Sequence, residues 1–161
     1  MNEQKIGFGG GCHWCTEAVF QSLNGVNKVE QGWIASDGEN SSFSEAVILN
    51  YNPESINLKT LIEIHLLSHS SMANHSLRNK YRSAIYYLDK CQKSEVEKAF
   101  SEAKSILDKE PITKVLPLCD FSLNKEEFLN YYQKRQDAPF CQTYISPKLV
   151  MLRRRYAKQL N

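Results

Sequence analysis

Apolar residues recur along this chain at two spacings, which predict a succession of strands and helices. In residues 93–109, for example, Val96 and Phe100 lie on one helical face, and residues 57–69 show the same period. A predicted loop over residues 136–149 leads into a final helix. Strands are predicted over residues 5–10, 26–34, 44–52, 81–88 and 111–118, and helices over residues 16–24, 57–69, 93–109 and 125–135.

The order of these elements indicates the fold class. Strands and helices alternate, but several pairs of strands follow each other with no helix between them. This order favours an α+β fold over a doubly wound α/β fold. We therefore predict a single domain over residues 1–161, built as a two-layer sandwich in which helices pack on a mixed β-sheet with a ferredoxin-like core.

Composition and charge exclude several classes of protein. The chain has 161 residues, 42% of them hydrophobic, and a net charge of +2. A charge this small gives no electrostatic case for binding nucleic acid, and the basic run over residues 152–160 is interpreted as a solvated helix face. No apolar run has the length of a signal peptide core or a membrane span. We expect a cytoplasmic protein that contacts no membrane.

The cysteines point to reactive or incidental thiols rather than structural disulfides. Thiols are kept reduced in the cytosol, and the odd number of cysteines agrees with this interpretation. A metal site made by Cys12 and Cys15 with His65 and His69 is disfavoured, because the two pairs are far apart and no second C-x-x-C is present. The five cysteines are Cys12, Cys15, Cys91, Cys119 and Cys141.

The stretch "FGGGCHWCTEAVF", residues 8–20, carries the strongest chemical signal. Three glycines precede Cys12, and a helical pattern begins directly after it. A thiol at a helix N-terminus has a lowered pKa, and glycines allow a sharp turn that leaves the sulfur uncovered. The spacing of Cys12 and Cys15 is also that of a disulfide oxidoreductase, and two ordinary buried cysteines are a further alternative.

Three motifs together resemble the peptide methionine sulfoxide reductase A family. They are "GGGCHWCTEAVF", "SEAVILNYNPESI" and "NKYRSAIYY", which occur in the order that the family has them. The C-terminal half keeps a weaker outline in "VLPLCDFSLNKEEFLNYY". The resemblance implies reduction of methionine-S-sulfoxide, free or in proteins, to methionine, with thioredoxin as the reductant. It implies no metal, flavin or nucleotide cofactor.

The resemblance also implies roles for individual residues. Cys12 corresponds to the nucleophile that attacks the sulfoxide sulfur and becomes a sulfenic acid. Glu45 corresponds to the acid that protonates the sulfoxide oxygen, a role that requires a buried, protonated carboxyl. Trp14 is expected to pack against the substrate methyl group, and the Tyr81 hydroxyl to donate a hydrogen bond to the oxygen.

Recycling of the sulfenic acid requires a second thiol. Condensation of the two sulfurs gives a disulfide that thioredoxin can reduce. Cys141 is the expected resolving cysteine, because many family members carry theirs late in the chain. Cys15 is the local alternative, and Cys91 and Cys119 are interpreted as incidental.

The sequence departs from the family pattern at three points. His13 replaces the aromatic residue that follows the nucleophile, so the methyl-binding site is wetter or His13 tunes the thiol. Ser76 occupies the position where the family has an aspartate. The hydrogen bonds of that aspartate would then be made by Ser76, by His75 or by water. A second active-site tyrosine has no clear equivalent, since Trp33 and Phe43 lack a hydroxyl. A degraded relative that binds oxidised methionine or senses peroxide is therefore a further alternative.

Overall fold

A computed structural model describes residues 3–69, 81–135, 137–139 and 141–157 of the chain. The strands are β1 (Gln4–Gly9), β2 (Val26–Ala35), β3 (Ser44–Tyr51), β4 (Ala84–Tyr87), β5 (Lys114–Pro117) and β6 (Asp120–Leu123). The helices are α1 (His13–Gln21), α2 (Leu58–Ser68), α3 (Lys90–Ala103), α4 (Tyr131–Lys134) and α5 (Ser146–Arg155). Within this part of the chain, no helix is both long and apolar enough to cross a membrane.

The six strands form one mixed sheet in the order β5-β4-β1-β3-β2-β6. Strands β4 and β5 are parallel, and the other neighbouring pairs are antiparallel. The first six elements run β1-α1-β2-β3-α2-β4, and their strands lie in the order β4-β1-β3-β2. This is the ferredoxin-like arrangement, so the predicted fold class is confirmed.

The main core lies between the sheet and the helices α1, α2, α3 and α5. Side chains alternate between the two faces of a strand. In β3, Val47 and Leu49 join the helix-facing core, whereas Ala46 and Ile48 belong to a smaller cluster on the other face. The same alternation directs Glu45 toward the helices, which is the face on which α1 begins.

The C-terminal third differs from the predicted elements. Strand β6 was not predicted, because it is four residues long and mostly exposed at the sheet edge. The helix predicted over residues 125–135 is broken into a 3-10 turn, Glu126–Phe128, and the short α4. Asn130 separates them with a φ of 56°, in the left-handed region. Part of the predicted loop is helical, since Cys141–Ile145 forms a wide helical turn that continues into α5.

Candidate active site

The glycine turn places Cys12 at the N-terminus of α1, as the sequence predicts. Cys12 is the N-cap residue, and its carbonyl oxygen accepts the backbone N–H of Cys15 at 3.1 Å. Gly10 has a φ of +144°, and a Cβ atom there would lie 2.5 Å from the ring of His69. Only glycine fits this position, so the turn carries a half-buried thiol at the positive end of the helix dipole.

The local environment stabilises a thiolate at Cys12. A hydrogen bond from the Cys15 thiol is the main cause that lowers the pKa of Cys12, with further help from the backbone N–H groups of Trp14 and Cys15. Burial and a negative charge on Glu45 act in the opposite direction. The same hydrogen bond, together with burial, raises the pKa of Cys15. Cys12 is therefore the more acidic thiol of the pair, and a neutral Glu45 favours its ionisation.

Glu45 lies near Cys12 in the fold. It contacts His13, the residue after Cys12, although the two are 32 positions apart in the sequence. Its side chain is 7% exposed, and its Oε1 atom accepts the backbone N–H of His13 at 3.1 Å. The His13 Nε2 atom is 3.5 Å from the same oxygen. Trp33 stands directly opposite Glu45 on β2, and its ring contacts the His13 ring edge-on. A reactive sulfur and a buried carboxyl thus share one site.

The Trp14 ring is held in place by stacking on a second aromatic ring, that of Tyr131. Its ring stacks on Tyr131 with 4.1 Å between centroids and 2° between planes, and Phe128 lies 6.0 Å away. Tyr131 therefore covers one face of the indole. The sequence indicates Trp14 but not the two aromatic residues behind it, because nothing in it shows that their segment returns to α1.

Glu17 fixes that returning segment. It is 1% exposed, and its two carboxylate oxygens accept the backbone N–H groups of Asn130 and Tyr131 at 2.9 and 3.0 Å. Burial raises the pKa of Glu17, and these two hydrogen bonds oppose the rise. Glu17 thus links α1 to the start of α4 and holds Tyr131 in position against Trp14.

Three thiols of the described residues meet in one apolar cluster. Cys15 and Cys141 are buried there together with Ile145, and Cys12 and Trp14 pack against them. All three cysteines are free, and the Cys141 side chain is 0% exposed. Burial raises the pKa of Cys141. Cys15 is hydrogen-bonded to Cys12, and Cys141 belongs to the cluster against which Cys12 packs, so the preference for Cys141 as the resolving cysteine stays a prediction.

The segment after residue 80 reaches the site through Arg82. The Arg82 backbone N–H donates to Ser44 Oγ at 2.7 Å, directly beside Glu45. Its buried guanidinium donates to the carbonyl oxygens of Ser42 and Ile34, which fixes the ends of β2 and β3. The half-buried Tyr81 precedes it, and its predicted contact with the sulfoxide oxygen stays a prediction. Ser76 and His75 lie outside the described residues.

His65 and His69 support the glycine turn. The His65 ring donates from Nε2 to the Gly9 carbonyl oxygen at 2.6 Å. The His69 ring donates from Nδ1 to the His65 carbonyl oxygen and lies 2.8 Å from Ser83 Oγ through Nε2. Among the described residues, no group of three or more His, Cys, Asp or Glu side chains could hold a metal ion.

The geometry brings a thiol of lowered pKa and a buried carboxyl into one site, and comparison with known proteins names the family. The family model described as peptide methionine sulfoxide reductase matches residues 4–160. The chain is 31% identical to the peptide methionine sulfoxide reductase MsrA of Chromobacterium violaceum, over 98% of each chain. It is 29% identical to the MsrA of Deinococcus radiodurans, over 98% of this chain and 84% of the relative. The protein belongs to the peptide methionine sulfoxide reductase family and is an oxidoreductase.

Solved structures show the same fold. Reduced Mxr1 from Saccharomyces cerevisiae superposes with a TM-score of 0.72 at 20% identity, over 88% of this chain and 91% of that one. Methionine sulfoxide reductase A of Corynebacterium diphtheriae gives a TM-score of 0.71 at 19% identity, over 84% and 76%. Mxr1 in complex with Trx2 gives 0.56 at 21% identity, over 80% and 84%. The resemblance predicted from the sequence motifs is confirmed.

Proposed function

We propose that this protein reduces methionine-S-sulfoxide to methionine through a sulfenic acid on Cys12 and an intramolecular disulfide. The observation that carries the proposal is the position of Cys12. Its sulfur lies at the N-terminus of α1, has a lowered pKa, and neighbours a buried carboxyl that hydrogen-bonds the next residue. A nucleophile and a proton donor are the two groups that sulfoxide reduction needs.

The first step transfers oxygen between two sulfur atoms. The Cys12 thiolate attacks the sulfoxide sulfur while Glu45 gives its proton to the sulfoxide oxygen. The S–O bond of the substrate and the new bond between the two sulfur atoms then break as the hydroxyl group passes to Cys12. Methionine and a Cys12 sulfenic acid result, so the substrate sulfur gains the two electrons that the cysteine sulfur loses. The proton that Cys12 lost on ionisation restores Glu45.

The second step forms a disulfide and releases water. The Cys141 thiol attacks the sulfur of the Cys12 sulfenic acid, and the hydroxyl leaves with the Cys141 proton. The shared apolar cluster supports this pairing, because the buried Cys141 belongs to the cluster against which Cys12 packs. Cys15 is the alternative partner, and its hydrogen bond to Cys12 is an observation in its favour.

Thioredoxin is the proposed reductant of this disulfide. The structural relative Mxr1 has been crystallised in complex with Trx2, which supports a thioredoxin as the partner of this chain as well. A dithiol of that kind attacks the disulfide and leaves both cysteines reduced. The cytoplasmic location expected from the sequence would supply such a reductant and stays a prediction.

Trp14 and Tyr81 are the proposed contacts for the substrate. With one indole face covered by Tyr131, the other face of Trp14 is the one proposed to contact the sulfur-bound methyl group. The Tyr81 hydroxyl would donate to the sulfoxide oxygen. With Trp14 against the methyl group and Tyr81 at the oxygen, the substrate sulfur would be held in one orientation, which would distinguish the two sulfoxide epimers.

The experiment that tests the function supplies purified protein with dithiothreitol and each epimer of methionine sulfoxide. We expect methionine from the S epimer and none from the R epimer, and no product from either with the C12S variant. Absence of methionine from both epimers with the unmodified protein would overturn the proposal. The second candidate function is a disulfide oxidoreductase that uses Cys12 and Cys15. Sulfoxide reduction by the C15S variant would exclude this second function.

A further inference from the structure

A chain of buried polar side chains leads from the protein interior to Glu45. Gln31, Asn124, His13 and Glu45 are 0%, 8%, 5% and 7% exposed, respectively. Each lies within 3.5 Å of the next through a nitrogen or oxygen atom. Buried polar groups of this kind have hydrogen-bond partners, so the direction of every bond in the chain has a chemical consequence.

The backbone fixes the direction of the first two bonds. The Phe128 carbonyl oxygen can only accept, so Gln31 Nε2 donates to it at 3.0 Å and Gln31 Oε1 faces Asn124. The Lys125 backbone N–H can only donate, and it donates to Asn124 Oδ1 at 2.8 Å. The Asn124 amide nitrogen must therefore donate to Gln31 Oε1, at 2.6 Å, and its second hydrogen is directed elsewhere.

The same logic fixes the protonation of His13. Its Nδ1 atom is 2.9 Å from the carbonyl oxygen of Gly32 and therefore carries a hydrogen. Its Nε2 atom is 3.4 Å from the Asn124 amide nitrogen, which donates and so requires a lone pair on Nε2. Both conditions hold only for the neutral imidazole with its hydrogen on Nδ1. The same Nε2 atom lies 3.5 Å from Glu45 Oε1.

We infer that Asn124, acting through a neutral His13, keeps the proton on the Glu45 carboxyl. This inference rests on the proposed function, in which Glu45 must be a proton donor. A neutral imidazole carries no positive charge that would stabilise a carboxylate, whereas an imidazolium at this distance would favour the carboxylate. Asn124 is a positioning residue, since it acts on Glu45 only through the ring of His13.

The side chains around the pair are consistent with this assignment, whereas the His13 backbone N–H that donates to Glu45 Oε1 favours the carboxylate. Strand β2 contributes Gly32 and Trp33, neither of which titrates. Strand β3 contributes Glu45 itself. At the start of α1, the neighbouring titratable group is the Cys12 thiol, and a thiolate there also favours a proton on Glu45, since the two charges repel. Cys12, His13 and Glu45 are therefore three titratable groups of one site.

The decisive variant is Asn124→Asp, which replaces the donor opposite His13 Nε2 with a carboxylate. We expect the carboxylate to favour the imidazolium, and the imidazolium to favour ionised Glu45. The alkaline midpoint of the pH–rate profile for single-turnover methionine formation should then fall by roughly one to three pH units. Asn27→Asp, the same substitution at an exposed position of β2, is the control and should leave the midpoint unchanged. A rate that falls by one factor at every pH, with the midpoint unmoved, would overturn the inference.

A double substitution tests whether Asn124 acts through His13. In the H13F background no imidazolium can form, so Asn124→Asp should no longer lower the alkaline midpoint. An equal downward shift with and without His13 would show a direct effect of the new charge and contradict the inference.

Nitrogen NMR of the histidine ring provides a readout that does not depend on activity. We expect His13 of the unmodified protein to be neutral at neutral pH, with its hydrogen on Nδ1, and the N124D variant to be an imidazolium. An imidazolium in the unmodified protein would overturn the inference even if sulfoxide reduction is intact. If no methionine forms but the ring is neutral, the proposed function fails instead.

Discussion

At the scale of single residues, the chemistry of the site depends on which groups carry a proton. The hydrogen bond from the Cys15 thiol lowers the pKa of Cys12, and a charge on Glu45 would oppose that effect. The sequence motifs indicated Cys12 and Glu45, since the resemblance carries their residue types. Nothing in the sequence indicated Asn124 or Gln31, because a buried amide is recognised only by its partners in space.

Glu45→Gln tests the acid directly. The amide keeps the size of the side chain and its acceptor for the His13 backbone N–H, but it has no proton to give. We expect the single-turnover rate of sulfoxide reduction to fall by roughly 10²- to 10⁴-fold, with little change in the thermal unfolding temperature.

The matched control for this variant is Glu54→Gln, which makes the same change at an exposed position. It should leave both the rate and the unfolding temperature unchanged. A Glu45→Gln protein that reduces methionine sulfoxide at the normal rate would mean that another group is the acid.

At the scale of elements, the broken helix after β6 shows what sequence periodicity cannot reveal. Residues 125–135 have a helical pattern, but the chain turns at Asn130 and begins α4 anew. Glu17 accepts the two backbone N–H groups at this point, and it belongs to a helix more than a hundred positions earlier. Two tertiary hydrogen bonds have overridden local propensity there. Helices form where α1, α2 and α3 were predicted, although α1 covers His13–Gln21 and α3 ends at Ala103.

The link between α1 and α4 should make stability depend on pH. Burial raises the pKa of folded Glu17 above its ordinary value of 4.5, so the unfolded chain loses this proton first. The contribution of Glu17 to the free energy of unfolding is therefore largest at acid pH and falls as the pH rises from 4.5 through the folded-state pKa.

Urea unfolding of the unmodified protein and the Glu17→Gln variant, at a series of pH values from acid to neutral, measures this effect. The variant cannot ionise at this position, so the unmodified protein should lose stability relative to it across that range. A difference in unfolding free energy that stays constant with pH would show that Glu17 does not titrate on folding.

At the scale of the whole molecule, sheet topology brings distant parts of the chain to one end of α1. Strand order β4-β1-β3-β2 sets Glu45 beside the turn after β1, and the segment before α5 adds Cys141. The alternation of strands and helices was sufficient to predict an α+β sandwich with a mixed sheet. The approach of the C-terminal segment could not be predicted from periodicity, because its contacts with Cys15 and Trp14 join residues far apart in the sequence.

Cys141→Ser tests the role of this C-terminal segment in recycling. Dithiothreitol can reduce a Cys12 sulfenic acid directly, so activity driven by dithiothreitol should persist in the variant. Activity driven by thioredoxin should be lost, because the disulfide that thioredoxin attacks no longer forms. Steady-state rates with the two reductants measure the difference.

Cys91→Ser, at an exposed position outside the site, is the control and should keep both activities. Equal loss with both reductants in the Cys141→Ser protein, or loss with neither, would remove Cys141 from the recycling step. Peptide mapping of the oxidised protein would then show whether Cys15 is the partner of Cys12.

The ring of His69 occupies the volume that any side chain at Gly10 would need, and this contact has a consequence for how the enzyme can change. His69 directly follows α2, so its direction is set by the length of that helix. One residue inserted into or deleted from α2 would rotate its end by about 100° and remove the ring from beneath the turn. The length of α2 is therefore matched to the position of the turn that carries Cys12. We expect insertions or deletions within α2 to disturb this turn.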